Sequence, residues 1–168
     1  MKRLSFISFV LSAFLLIGFV ACEPNIEEPN YVDLGLSVKW ATMNVGADTP
    51  ERYGDFYTYD EAVSEFGNNL PTKEQLEELK NECEWKWTTQ NGVEGQKVTG
   101  PNGKSIFLPA AGYRYCNGNV GSVGTYGNYW SSTPYDSDYA WYLKFDSSGF
   151  GMYNSTRCYG LSVRLVRY

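Results

Sequence analysis

The sequence predicts a single α+β domain behind an export and attachment segment. Two helix-start signals lie close together, at Thr58 and Thr72. From Cys83 onward the apolar period shortens to that of strands, punctuated by Asn-Gly and Pro-Asn-Gly turns. Helices early and strands late are the pattern of an α+β domain, with its helices segregated from antiparallel sheet. The chain of 168 residues suits one small core once the apolar opening run is set aside.

That run comes first. Lys2 and Arg3 precede LSFISFVLSAFLLIGFVA, and Cys22 follows Ala21. A basic start, an apolar stretch and a small residue before a cysteine read as a bacterial export signal over residues 1–21, with Cys22 acylated as the N-terminus of a lipoprotein. Phe19 departs from the Leu that the lipobox usually carries. The alternative is an uncleaved signal anchor, because the run is near the lower length limit for a spanning helix. Residues 22–30, CEPNIEEPN, are acidic and broken by Pro, so they read as a flexible tether. Acidic residues after the acylated cysteine resemble the surface-export signals of some Gram-negative lipoproteins, which points to the outer face of the outer membrane.

The domain proper is read as residues 31–168. YVDLGLSVKWATMNVGA (31–47) has β-branched and aromatic residues around a Gly break, predicting an opening strand or strand pair. Thr58 with Glu61 and Thr72 with Gln75 are capping-box pairs. Tyr59, Ala62, Val63 and Phe66 share the face of the first helix, and Leu76, Leu79 and Cys83 that of the second. EWKWTTQ, GQKVT and SIFLPAAGYR follow as hairpin strands, with Trp85 and Trp87 alternating toward the core. Further strands are expected at NYWSS, YAWYLKF, GFGMYN and LSVRLVR.

Charge excludes one class of partner. Without residues 1–21 the chain keeps 12 Lys+Arg against 19 Asp+Glu, a net charge of −7. It carries no basic cluster, so nucleic acid is not the expected partner. There is no histidine, which removes Ser–His and Cys–His catalysis and His-based zinc sites. Of Cys83, Cys116 and Cys158, an oxidising compartment permits one disulfide; the pairing stays open, although Cys83 reads as a small buried hydrophobe at a helix end. Asp33, Asp55, Asp136, Asp138 and Asp146 lack the spacing of a calcium loop and read as solvated turn residues. No cofactor is expected.

The stretch from Tyr135 to Gly160, YDSDYAWYLKFDSSGFGMYNSTRCYG, mixes rings with Ser, Gly, Asn and Asp. That is the composition of contact loops, where stiff amphipathic rings give area and small polar groups give adaptable hydrogen bonds. Trp130, Leu143 and Phe145 are the expected core residues, with Trp141 on their strand face and Tyr142 and Lys144 pointing the other way. Tyr135, Tyr153 and Tyr159 stand in turn-like context without aliphatic neighbours, which favours surface contact.

Many ordered blocks, among them YVDLGLSVKWATMNVG, LPTKEQLEEL, KVTGPNGKSIFLPAAGYR, YWSSTPY and RCYGLSVRLVR, resemble the Fibrobacter succinogenes major paralogous domain over essentially all of 31–168. That likeness implies a C-type lectin-like fold, also used by formylglycine-generating enzymes, with the first and last strands paired. Some proteins of this architecture are variable proteins of diversity-generating retroelements. In their pattern Gly127, Tyr129, Trp130, Ser131, Ser132, Ala140, Leu143, Phe145, Arg157, Gly160, Ser162, Val163 and Arg164 would be frame. The adaptable, ligand-contacting positions within residues 113–160 would be Tyr115, Asn117, Asn128, Tyr135, Asp136, Asp138, Tyr139, Trp141, Tyr142, Phe150, Tyr153, Asn154 and Tyr159, with Cys158 beside them. The expected function is therefore adhesion or recognition of an extracellular glycan or protein, without catalysis. The alternative is a structural subunit of a surface adhesin or pilus assembly; an enzyme is the least supported reading.

Overall fold

The computed structural model describes residues 30–168. The expected export signal, Cys22 and the expected tether up to Pro29 lie outside the described residues. The architecture is mixed α+β, built mostly of small antiparallel sheets with two helices.

Both helices start where their capping boxes place them. In α1 (Tyr59–Phe66) the Thr58 hydroxyl accepts from the Glu61 amide while the Glu61 carboxylate accepts from the Thr58 amide. Thr72 and Gln75 do the same for α2 (Lys73–Glu82). These reciprocal bonds satisfy donors that a helix start otherwise leaves open. Tyr59, Ala62, Leu76 and Leu79 are buried, whereas Val63 faces solvent. Cys83 caps the C-terminus of α2 and is half-buried with a free thiol.

Strands β1 (Tyr31–Val32) and β11 (Val166–Arg167) flank β2 (Lys39–Ala41), so the end of the chain lies beside its beginning, with Val166 opposite Trp40. Strands β3 (Glu84–Gln90), β4 (Val93–Thr99) and β5 (Ser105–Pro109) form a meander. Its first turn, Asn91-Gly92, has both residues at positive φ, as a two-residue hairpin requires. Strands β6 (Tyr113–Arg114) and β7 (Val120–Gly121) make a small ribbon. The third three-stranded sheet has the order β10-β9-β8, from β8 (Gly127–Pro134), β9 (Tyr139–Phe145) and β10 (Phe150–Thr156).

The expected strand over LSVRLVR is confined to its last residues. Arg164 explains why. Its fully buried guanidinium donates to the carbonyls of Ala41 (3.0 Å) and Phe107 (2.9 Å) and to Asn44 Oδ1 (3.0 Å). A backbone that turns a guanidinium inward to three acceptors is held by those bonds rather than by a continuous ladder.

The β8–β10 sheet is packed on both faces. Tyr129, Leu143 and Phe145 join Leu34, Trp40, Leu76, Leu79, Val98 and Leu108 in the larger core. Trp130 and Ala140 face a second core with Tyr59, Ala62, Leu70, Leu161 and Val163. Trp85 and Trp87 lie half-buried against the larger core, each near the Phe145 ring. Strand alternation therefore sends Tyr142 and Lys144 to the second face, away from Leu143.

Candidate ligand-binding cleft

The second face of the β8–β10 sheet opens into a cleft of about 230 Å³ lined by Tyr113, Tyr126, Asn128, Tyr142, Lys144, Ser155, Tyr159 and Leu161. Register explains the floor: Asn128 lies opposite Lys144, Tyr142 opposite Tyr153, and Ala140 opposite Ser155. Residues directly opposite in antiparallel strands share a face. Tyr113 comes in from β6, and Tyr159 and Leu161 from the segment after β10.

The rings form two groups, one around Tyr113 and one around Tyr142. Tyr113 lies 4.9 Å from Tyr115 and 5.8 Å from Tyr159 between centroids, and Tyr115 and Tyr159 are also 5.8 Å apart. Tyr142 is 6.3 Å from Tyr153. The Lys144 ammonium lies 4.2 Å from the centre of the Tyr126 ring and 6.0 Å from that of Tyr153. Both are cation–π distances.

Two devices fix the rim. The Cys116–Cys158 disulfide joins the β6–β7 ribbon to the segment after β10. Beside it, Arg114 and Gly160 exchange two backbone hydrogen bonds of 2.8 Å. A Cβ at Gly160 would stand 2.6 Å from Arg114 Nε, 3.0 Å from Arg114 Cβ and 3.1 Å from Phe56 Cβ, so a larger residue here would have to displace the Arg114 side chain.

The phenols are electrostatically unequal. Burial raises the pKa of Tyr142, helped by the neighbouring phenols of Tyr153, Tyr113 and Tyr159. The hydroxyls of Tyr113 and Tyr115 are 3.0 Å apart. That bond lowers the pKa of Tyr113 and raises that of Tyr115, and either hydroxyl can be the donor. The lining thus offers ring faces, hydroxyls that donate and accept, and one ammonium.

The residues expected to contact ligand are not one patch. Tyr115, Asn128, Tyr142, Tyr153 and Tyr159 gather at the cleft, where Asn128 is buried and its side-chain amide donates to Gly112 O at 3.1 Å. Tyr159, expected as a free surface ring, is half-buried against Tyr113 and Tyr115. Tyr135, Asp136, Asp138, Tyr139 and Trp141 make a separate patch on the β8–β9 hairpin, with Asn154 opposite Trp141. Trp141 follows the strand face of Leu143 but is only half-buried. Its ring is 5.2 Å from Tyr135, and Lys73 Nζ is 4.4 Å from its centre. Phe150 stacks on Trp85 at 4.7 Å. Asn117 sits in the β6–β7 turn, where its side chain accepts from the Asn119 amide.

The acids close turns. Asp136 Oδ1 accepts from the amides of Asp138 and Tyr139, Asp146 Oδ1 from those of Ser148 and Gly149, and Asp33 Oδ1 from that of Gly35. Among the described residues no group of three acids or cysteines is arranged to hold a metal ion. Among the same residues no helix is long and apolar enough to cross a membrane.

Sequence reasoning missed Tyr113, Tyr126, Lys144, Ser155 and Leu161 as lining. Period-two alternation from Tyr142 does reach Lys144, and the Tyr113-Arg114-Tyr115 triplet puts two rings on one side. Tyr126 lies two positions before Asn128, so the same alternation reaches it.

A family model described as "Domain of unknown function (DUF8237)" matches residues 68–166, which include the whole cleft. Comparison with curated proteins and with solved structures finds no significant match.

Proposed function

The chain belongs to the DUF8237 family, a domain of unknown function, and on that footing we propose that it is a non-catalytic ligand-binding module of the bacterial surface. The observation that carries this is the tyrosine cleft. Phenol rings combine apolar faces with a polar tip, which is why such residues are favoured where ligand is bound and water is near. A cleft of about 230 Å³ is smaller than the roughly 300–1,000 Å³ of drug-sized sites, so it takes one ring or side chain of a larger ligand. The exposed rings of Tyr115 and Tyr153 extend the contact beyond it.

The finer reading is a C-type lectin-like domain of the Fibrobacter major paralogous type. It would be anchored through acylated Cys22 to the outer membrane, facing outward, with residues 113–160 as a contact section open to diversification. The early helices, the small antiparallel sheets and the β2–β11 pairing support it. A second reading, a subunit of a surface assembly, is favoured by β10. This seven-residue edge strand, FGMYNST, carries no charge and no Pro to discourage strand addition.

The test is to screen the purified protein against glycan and surface-protein arrays, with and without calcium. Binding that falls at least tenfold in a folded Tyr115→Ser, Tyr153→Ser double variant supports recognition through the cleft. Binding that ignores both rings removes it in favour of assembly.

A further inference from the structure

The cleft concentrates a positive charge in an acidic protein. Residues 22–168 carry 12 Lys+Arg against 19 Asp+Glu, yet Lys144 is the one charged residue in the lining. Other cations near this region already have acids. Lys73 pairs with Glu77 at 3.3 Å, Arg114 with Glu61 at 3.7 Å and Arg157 with Asp60 at 3.6 Å. Among the described residues no carboxylate oxygen lies within the 4.0 Å of an ion pair from Lys144 Nζ. Asp146, two positions on, feels the Lys144 charge without forming a contact ion pair, and its Oδ1 accepts from the amides of Ser148 (2.7 Å) and Gly149 (3.1 Å). Lys144 is instead held between the rings of Tyr126 and Tyr153.

Three features define what fits. The space admits one ring. The Tyr faces stack on a flat ring face, and the hydroxyls of Tyr113, Tyr142, Tyr159 and Ser155 meet a partner that is itself rich in hydroxyls, since each both donates and accepts. The ammonium supplies a charge-assisted bond to an anion. An acidic peptide would also satisfy the ammonium, but its amides offer groups that only donate or only accept, whereas each sugar hydroxyl does both.

Resting on the ligand-binding reading above, we infer that the cleft takes a sugar ring bearing a carboxylate, a uronate residue, with the carboxylate on Lys144 Nζ. The full chain is titrated calorimetrically with a galacturonate trimer, its methyl ester, a neutral galactose trimer and a Glu-rich peptide. The acid trimer binds, and esterification weakens binding at least about tenfold, the scale of one charge-assisted hydrogen bond. Added salt weakens the acid but not the ester. Lys144→Met erases the acid–ester difference, and Lys144→Arg keeps it.

Equal binding of acid and ester, a difference that survives in Lys144→Met, preference for the peptide, or no binding of the acid trimer each overturns the inference. The acid–ester and salt comparisons use the unsubstituted protein, so they stand even if Lys144→Met fails to fold. The two levels fail separately. Array binding that needs Tyr115 and Tyr153 but ignores Lys144 sinks only the uronate assignment. Array binding that ignores the rings sinks the reading of this cleft as the recognition site, and the uronate assignment with it.

Discussion

The rings of Tyr115 and Tyr159 lie 5.8 Å apart because each is the chain neighbour of one half of the Cys116–Cys158 disulfide. Tyr115 is exposed on a short turn, and the crosslink and the Arg114–Gly160 hydrogen bonds hold that turn to the segment after β10, alongside the ring contacts with Tyr159. Reduction, or Cys116→Ser with Cys158→Ser, is therefore expected to loosen the cleft rim before it unfolds the domain. The bridge closes a loop with a sequence separation of 42 residues, worth up to about 4 kcal/mol in the chain-entropy account. Denaturant titration should show part of that loss, and ligand affinity should fall in the variant that remains folded. Unchanged affinity in the folded variant would separate the disulfide from the cleft.

Arg164 links four parts of the chain. Its guanidinium is spent on Ala41 O, Phe107 O and Asn44 Oδ1, and Asn44 in turn donates to Tyr53 O. Arg164→Ala strands these acceptors in a dry interior and should cost about 3–5 kcal/mol. Arg164→Lys should rescue little, because an ammonium cannot reproduce the planar fork. Equilibrium denaturation of the three proteins checks this; a Lys variant near the native stability would refute the role given to the fork.

Gly127 tests the packing between β8 and β9. A Cβ there would stand 2.0 Å from the Phe145 ring, which fills the space beneath it. Gly127→Ala should destabilise by about 1–3 kcal/mol. A relieving Phe145→Leu in the same chain should recover part of the loss. Thermal melts of the single and double variants measure it, and additive losses would deny the contact.

Alkaline pH should weaken the fold. Burial, with help from Glu78 and Glu82, pushes the Cys83 thiol from 9.0 up to about 11. Burial also raises the phenols of Tyr129 and Tyr142. A group whose folded pKa is raised contributes stability that is complete below its unfolded value and lost as pH rises through the folded one. Denaturation midpoints should therefore hold up to about pH 9 and fall through about pH 11. In the native protein, alkylation of Cys83 at pH 8 should be slow, because little thiolate is present. Rapid labelling without unfolding would contradict this burial.

The helices and hairpins are legible in the sequence because their causes are local. Thr58 with Glu61, Thr72 with Gln75 and Asn91-Gly92 each act within a few residues. The cleft is only half legible. Alternation separates Tyr142 and Lys144 from Leu143, but Tyr113 and Tyr159 reach the same face from segments joined by the disulfide and the Arg114–Gly160 pairing. Arg164 is opaque for the same reason: nothing within LSVRLVR announces the three carbonyl and amide acceptors that draw it inward. The contact residues read as one set divide because the β9 strand sends Trp141 and Tyr142 to opposite faces.

That division allows the most direct measurement. A ligand captured on the array is titrated against two folded variants, Tyr142→Ser with Tyr153→Ser in the cleft and Tyr135→Ser with Trp141→Ser on the hairpin. If the cleft is the binding site, the first variant loses affinity by about 2 kcal/mol or more, as for central interface residues, and the second stays near the native value. The reverse order, or equal small losses from both, would contradict it.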